Sequence, residues 1–248
     1  MKNVLAFNGS PRGKRGNTEK ILNPFLDGVR EAGAEAETLY LKDLKIRECQ
    51  GCYACHMRTP GKCVIRDDMD WILEKILTAD MLVFATPLYV FSVTALLKTL
   101  MDRMMVLGDL KLVYVDGLMV HPPRYPDKKW DWILISNAGF PEREHFSALE
   151  DMFRKFARAV GGGGYVRLAG SILMGMGELF AVKPLLPSFQ WYFDACKKAG
   201  SEIILQGSIS EETQKILDKP LMDIPLEEFA RISNRYIDKA TQKARGSA

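Results

Sequence analysis

The chain has 248 residues, of which 47% are hydrophobic and 26% charged, and it carries a formal net charge of +3. This length suits one core with additions, the apolar share excludes a disordered chain, and so small a net charge excludes a protein that grips nucleic acid by bulk electrostatics. The mild basic excess near Lys239, Lys243 and Arg245 reads as the solvated face of a terminal helix.

Met1 to Asn8 is too short and too soon interrupted by polar residues for a signal-peptide core. The longest apolar run, Met81 to Phe91, contains Thr86 and Pro87 and falls short of the roughly 20 residues that a membrane helix needs. The expectation is a cytoplasmic protein with neither membrane nor nucleic acid as a partner. Val4 to Phe7 predicts a first strand, entering a Gly- and Pro-shaped loop at Asn8 to Gly13. A helix follows from Asn17 or Thr18, with Ile21, Leu22, Phe25, Leu26 and Val29 inward, Pro24 as a kink and Gly33 as its stop. Glu37 to Leu41 is a weak second strand. Asp67 and Asp68 suit the first turn of a helix whose inner face is Met69, Ile72, Leu73, Ile76 and Leu77. Met81 to Thr86 is apolar throughout, as in a strand buried on both faces.

A helix bearing Val93, Leu96, Leu97, Leu100 and Met104 comes next, and Asp116 to Lys129 reads as a loop. Trp132 to Ile135 predicts a fourth strand and Phe146 to Val160 a helix with Leu149, Met152, Phe153 and Phe156 inward. Gly161 to Gly164 is a helix stop and loop, and Tyr165 to Leu173 a fifth strand. Strands alternating with helices imply a parallel sheet with right-handed crossovers and helices on both faces. Beyond about residue 175, helical stretches broken by Pro184, Pro187, Pro220 and Pro225 suggest a C-terminal helical extension (176–248) packed on the same domain as 1–175.

In an open parallel sheet, ligands bind beyond the carboxyl ends of the strands, where the first loop meets the positive end of a helix. Ser10 and Thr18 hydroxyls, the Asn17 amide and the backbone N–H groups of 9–18 can donate to a phosphate there, and Arg12 can add a charge-assisted bond. Lys14 stands where a nucleotide-triphosphate loop needs its second glycine, so a phosphomonoester fits better. Gly-Ser-Pro-Arg at 9–12 followed by Gly-Asn-Thr at 16–18 resembles the flavin phosphate loop of NAD(P)H-dependent FMN reductases and iron-sulfur flavoproteins.

Two further segments carry the resemblance. Thr86 to Ser92 is similar to the family's flavin-ring loop, with Pro87, Leu88, Tyr89, Val90 and Phe91 as candidates for backbone and aromatic contact with the ring; Ser136 to Pro141 is similar to the loop closing its far side, with Asn137 and Gly139 as candidates. The resemblance extends over roughly the first 175 residues. It implies a flavodoxin-like, doubly wound sheet of five parallel strands in the order 2-1-3-4-5, with FMN at the switch point. Asp102-Arg103, on the helix after the ring loop, reads at least as well as a surface pair as a catalytic one.

Four of the five cysteines fall in one segment, Cys49, Cys52, Cys55 and, after seven intervening residues, Cys63. In a reducing compartment this points to a metal or redox site rather than disulfides. The spacing suits a 4Fe-4S cubane, and with Asp67-Asp68-Met69 behind it resembles the cluster motif of iron-sulfur flavoproteins. Zinc held by four thiolates, and reduced cysteines in a cluster-free reductase, remain open. His56 reads as solvent-exposed and Cys196 as a small core residue.

The leading expectation is an iron-sulfur flavoprotein in which FMN couples two-electron chemistry to one-electron transfer through the cluster, a role that needs no acid–base residue. The rivals are an NAD(P)H-dependent reductase of flavin or quinone and a non-enzymatic electron carrier. The resemblance also implies a homodimer or homotetramer, with neighbouring subunits supplying part of each flavin pocket.

Overall fold

Every residue of β3 (Met81–Pro87) is buried, which a strand allows only where both faces of its sheet are covered. Its side chains alternate: Leu82 and Phe84 enter one core, Met81, Val83 and Ala85 the other. In the computed structural model, which describes residues 1–115, 117–160 and 164–246, this strand is the centre of a five-stranded sheet. Its neighbours are β1 (Asn3–Asn8) and β6 (Trp130–Asn137), with β2 (Glu35–Tyr40) and β7 (Val166–Met174) at the edges; all pairs are parallel. Counting only the strands of this sheet, the order is 2-1-3-4-5, the flavodoxin-like arrangement expected from the sequence.

One face is covered by α1 (Asn17–Glu31), whose Ile21, Leu22, Phe25, Leu26 and Val29 are completely buried, and by α6 (Gln190–Leu205). The other carries α3 (Met69–Thr78), α4 (Ala95–Arg103) and α5 (Ser147–Val160), whose apolar faces enclose Phe84, Trp132 and Phe153 in aromatic contact. The α1–α6 crossing is very close. A Cβ on Gly28 would overlap the Lys197 carbonyl oxygen and one on Gly200 the Phe25 carbonyl oxygen, so both positions require glycine. Gly33, with φ +85°, ends α1 as the sequence suggests.

Two departures from the sequence reading concern short elements. The segment read as a loop from Asp116 contains half of an antiparallel hairpin, β4 (Val113–Val115) with β5 (Leu118–Val120). Three-residue strands carry too little alternation to register as a pattern. Ala54–Met57 forms one helical turn, α2, inside the cysteine segment. The remaining helices are α7 (Glu211–Leu217) and α8 (Leu226–Gly246); the stop at Gly161 to Gly163 lies outside the described residues. Cys196 is fully buried and its thiol is pushed up by burial, as a core residue should be. No helix among the described residues is long and apolar enough to cross a membrane.

Candidate functional site

Because the strands are parallel, the loops after β1, β3 and β6 leave the same edge of the sheet. The residues at that edge are hydrogen-bonded across it. Gly9 N–H donates to the Ala85 carbonyl (2.7 Å), the Thr94 hydroxyl to the Gly9 carbonyl (2.7 Å), Leu88 N–H to the Asn137 carbonyl (2.8 Å), and the Asn137 amide to the Thr18 hydroxyl (2.7 Å). The last bond joins residues 119 apart in sequence. All three loops singled out by sequence are thus tied into one cluster.

In the first loop, Ser10, Asn17 and Thr18 are buried. Ser10 Oγ accepts from Arg12 N–H at 3.2 Å, and a Cβ on Gly16 would stand 2.5 Å from that oxygen, so the turn closes only around glycine. The start of α1 has no side-chain cap, although the first N–H groups of any helix lack an intrahelical acceptor. Asn17 Nδ2 is buried there and finds no partner among the described residues. The start of α4, by contrast, is closed by Thr94 Oγ1, which accepts from Leu97 N–H. An uncapped helix start beside an unpaired buried amide donor is a cradle for an anion. Arg12 lies at its edge, half exposed and 3.9 Å from Glu178, so its guanidinium is shared with that carboxylate.

Behind the cradle is a carboxylate that sequence reading did not single out. Buried Glu19 accepts from the Asn8 amide (2.7 Å) and the Tyr40 hydroxyl (2.6 Å), while Asn8 Oδ1 accepts from Ser10 N–H (2.9 Å). Burial and the bond to Glu19 push the Tyr40 phenol well above its ordinary value. An acidic residue in the first turn of a helix expected to hold a phosphate was the available signal, since a carboxylate enclosed there needs hydrogen-bond donors close by.

In the second loop Pro87 is buried and pairs in register with Asn137, and Leu88 is half-buried. Tyr89, Val90 and Phe91 project outward. Val90 and Phe91 both have positive φ, 48° and 58°, and close a turn in which Tyr89 and Ser92 exchange backbone hydrogen bonds. Left-handed backbone at a β-branched residue is strained, and it fixes where Tyr89 and Phe91 point. Phe91 stacks on His145 (centroids 5.8 Å), which also contacts Phe140 of the third loop (4.5 Å). In that loop Asn137 is buried and Gly139 exposed; the buried Ser136 hydroxyl has no partner among the described residues.

The cysteine segment leaves β2 and returns at α3. Its base is zipped: Asp68 accepts from Lys45 N–H (2.6 Å), and Asp67 from Arg47 N–H (2.9 Å) and Met69 N–H (3.0 Å). Arg103, 3% exposed, donates to Asp67 (2.7 and 3.1 Å) and to the carbonyls of Arg47 and Ile65. It is therefore not the surface partner of Asp102, which pairs instead with Lys98 at 2.7 Å on the exposed face. Burial alone would raise the Asp67 carboxyl, but Arg103 and the two N–H groups outweigh it and hold it below the usual range.

Within the loop, Cys49 and Cys52 are exposed and Cys55 and Cys63 half-buried, all with free thiols. Burial and the neighbouring Cys63, Cys49 and Cys52 push the Cys55 thiol up. Among the described residues no group of three or more His, Cys, Asp or Glu side chains is gathered tightly enough to hold a metal ion. His56 is half-buried rather than solvent-exposed, because Arg124 packs on it, with Nη2 3.4 Å from Nδ1. Burial and that guanidinium lower its pKa.

Comparison with known proteins follows the same outline. Residues 2–120 match the pattern of the NADPH-dependent FMN reductase family. An iron-sulfur flavoprotein of Archaeoglobus fulgidus is 45% identical over 100 residues, 40% of this chain and 47% of its own. One of Methanosarcina thermophila is 39% identical over 104 residues, 42% of this chain and 53% of its own. The chain thus spans about half the length of the curated relatives it matches. An FMN-dependent NADH-azoreductase of Bacillus anthracis, in complex with FMN, superposes with a TM-score of 0.59 at 16% identity, over 82% of this chain and 100% of that one, which shows a common fold. The matched region includes the first two loops and all four clustered cysteines; the third loop lies beyond it.

Proposed function

We propose that this chain, which carries the NADPH-dependent FMN reductase pattern over its first half, is an FMN-dependent oxidoreductase of the iron-sulfur flavoprotein type. The observation that carries the reading is the uncapped start of α1 with the unpaired, buried Asn17 amide, held against β6 by the Asn137–Thr18 bond. In this reading Ser10, Asn17 and Thr18, with Arg12 at the edge, hold the FMN phosphate. Pro87 to Phe91 meet the ring, and Asn137 and Gly139 close its far side. FMN held there would supply two-electron chemistry as hydride acceptance together with one-electron release. The chain's own part is to bind, orient and shield: Tyr89 and Phe91 supply apolar surface on a turn fixed in advance, and no side chain is required as a proton donor.

Cys49, Cys52, Cys55 and Cys63 are the proposed ligands of a 4Fe-4S cluster. The Cys-x-x-Cys-x-x-Cys run, the four free thiols and the similarity to iron-sulfur flavoproteins support this. The thiols are not gathered into a metal-binding group, so ligation would require the loop above its zipped base to close. NAD(P)H is the proposed electron donor. The hairpin exposes Tyr114 and Met119, and the residue before it Leu112, apolar surface in keeping with a homodimer or homotetramer. Residues 176–248 are read as packed on the same domain as 1–175, a reading supported by the burial of α6 against α1.

The test is direct. Denatured protein should release FMN and no FAD, and anaerobically prepared protein should contain about four irons and four sulfides per chain. Recovery of stoichiometric FAD, or of no flavin after loading with excess FMN, refutes the flavin reading. Iron below one per chain after anaerobic reconstitution refutes the cluster and leaves a cluster-free FMN reductase.

A further inference from the structure

A cavity of about 400 Å³ opens on the α3–α5 side of the sheet, lined by Leu82, Met104, Leu107, Trp132, Phe156 and His56 among others. It is not part of the flavin loops. Leu82 pairs in register with Trp132, and Pro87 with Asn137; five residues of strand separate the two levels by about 16 Å. The volume falls in the range of small-molecule sites.

Its lining is largely apolar; of the polar groups there, Asp109 accepts from Lys111 N–H (3.0 Å) and His121 Nδ1 lies 3.0 Å from the Lys111 carbonyl, while two buried ring nitrogens have no partner among the described residues. Trp132 is 1% exposed, and its Nε1 has no hydrogen-bond partner among the described residues. Trp130, two residues earlier on the same strand, does have one, giving its Nε1–H to the Ile76 carbonyl at 3.0 Å. His56 Nε2 is likewise buried and unpartnered. Arg124 Nη2 lies 3.4 Å from His56 Nδ1, and a guanidinium can only donate, so Nδ1 accepts and the ring hydrogen sits on Nε2. A largely apolar cavity with two unanswered N–H groups favours a ligand that brings an oxygen acceptor on an apolar body.

We propose that this cavity is a second ligand site, separate from the FMN site, for a small aromatic carbonyl compound. The aromatic body lies among Leu82, Leu107 and Phe156, and the carbonyl oxygen accepts from Trp132 Nε1–H, from His56 Nε2–H or from both. The site lies apart from the flavin loops, and one of its two donors, His56, belongs to the cysteine loop next to Cys55.

The test uses oxidised, FMN-loaded protein without reductant and two probes of the same shape, 1-tetralone and the hydrocarbon tetralin. Binding is followed by the indole N–H resonance of Trp132, assigned with Trp132→Phe, while the visible flavin band reports on the FMN site. The expected result is saturable 1-tetralone binding that shifts the Trp132 resonance and leaves the flavin band unchanged. Tetralin should bind about tenfold more weakly, because it leaves the donors unpaired. Trp132→Phe should shrink this preference, and Ala159→Trp, at an exposed position on the rim, should weaken both probes. Absence of saturable binding, equal affinity for the two probes, or 1-tetralone binding that perturbs the flavin band and ignores Ala159→Trp would each overturn the proposal. Should Trp132→Phe fail to fold, the probe pair and Ala159→Trp still decide it.

Discussion

Asn17 occupies a position where an amide nitrogen is enclosed and yet has no partner among the described residues, which a folded chain tolerates only at a cost of about 1–3 kcal/mol. If a phosphate supplies the missing acceptor, Asn17→Ala should weaken FMN binding by about 1.5–3 kcal/mol while leaving thermal stability of the flavin-free protein unchanged or slightly higher. A flavin titration beside a melting curve checks both, and unaltered affinity moves the phosphate elsewhere. Thr18→Ala should act on both fronts, since its hydroxyl also accepts from Asn137.

Arg103 and Asp67 behave differently, because they are already paired and nearly enclosed, with side chains 1% and 5% exposed. Arg103→Met leaves a buried carboxylate without its counter-charge, held only by the Arg47 and Met69 N–H groups, and should cost about 3–5 kcal/mol in denaturant unfolding, whereas the double variant Arg103→Met with Asp67→Leu should recover much of it. The pH dependence follows from the sign of the shift. Asp67 is held below its ordinary value when folded, so its stabilising contribution is present above the unfolded carboxylate pKa of about 3.9 and is lost as pH falls through the lower folded value. Acidifying from pH 6 to pH 3 should therefore lower the wild-type unfolding free energy more than that of Asp67→Asn.

At the scale of elements, the turn at Tyr89 to Ser92 shows backbone shape taking precedence over residue preference. Val90 is 92% exposed, so packing does not explain its left-handed φ of 48°. Val90→Gly should raise the stability of the flavin-free protein by about 1 kcal/mol, because the left-handed penalty at a non-glycine residue is about 1–2 kcal/mol and glycine's greater unfolded freedom offsets part of the gain. It should also weaken FMN binding if the fixed turn holds Tyr89 and Phe91 ready for the ring, and isothermal titration would detect this.

The α1–α6 crossing is the opposite case, where contact decides everything. Gly28→Ala and Gly200→Ala each drive a methyl into a backbone carbonyl that cannot step aside, and each should destabilise the protein by about 2–3 kcal/mol or more. Serine or alanine at Gly33, whose Cβ would meet nothing within 4 Å, should cost only its φ strain of about 1 kcal/mol.

Across the whole molecule, what could be read from residues alone was whatever local chemistry encodes. The apolar run from Met81 to Thr86, the helical spacing of Ile21, Leu22, Phe25, Leu26 and Val29, and Gly, Pro and Asn at strand ends mark elements and loops because periodicity and turn chemistry act over a few residues. With alternation of strand and helix, these features determined a parallel sheet and the edge on which its loops gather. Tertiary structure alone decided the pairings. Arg103 looks like any helix-face arginine, and its burial follows from meeting Asp67, 36 positions away, where two charges can be enclosed only together. Glu19 became structural by meeting Asn8 and Tyr40, the hairpin β4–β5 by closing on itself, and the cavity by the crossing of helix and strand around Trp132. A sequence pattern states that a side chain faces inward; which group awaits it there is settled only when distant segments close and their polar atoms must be satisfied.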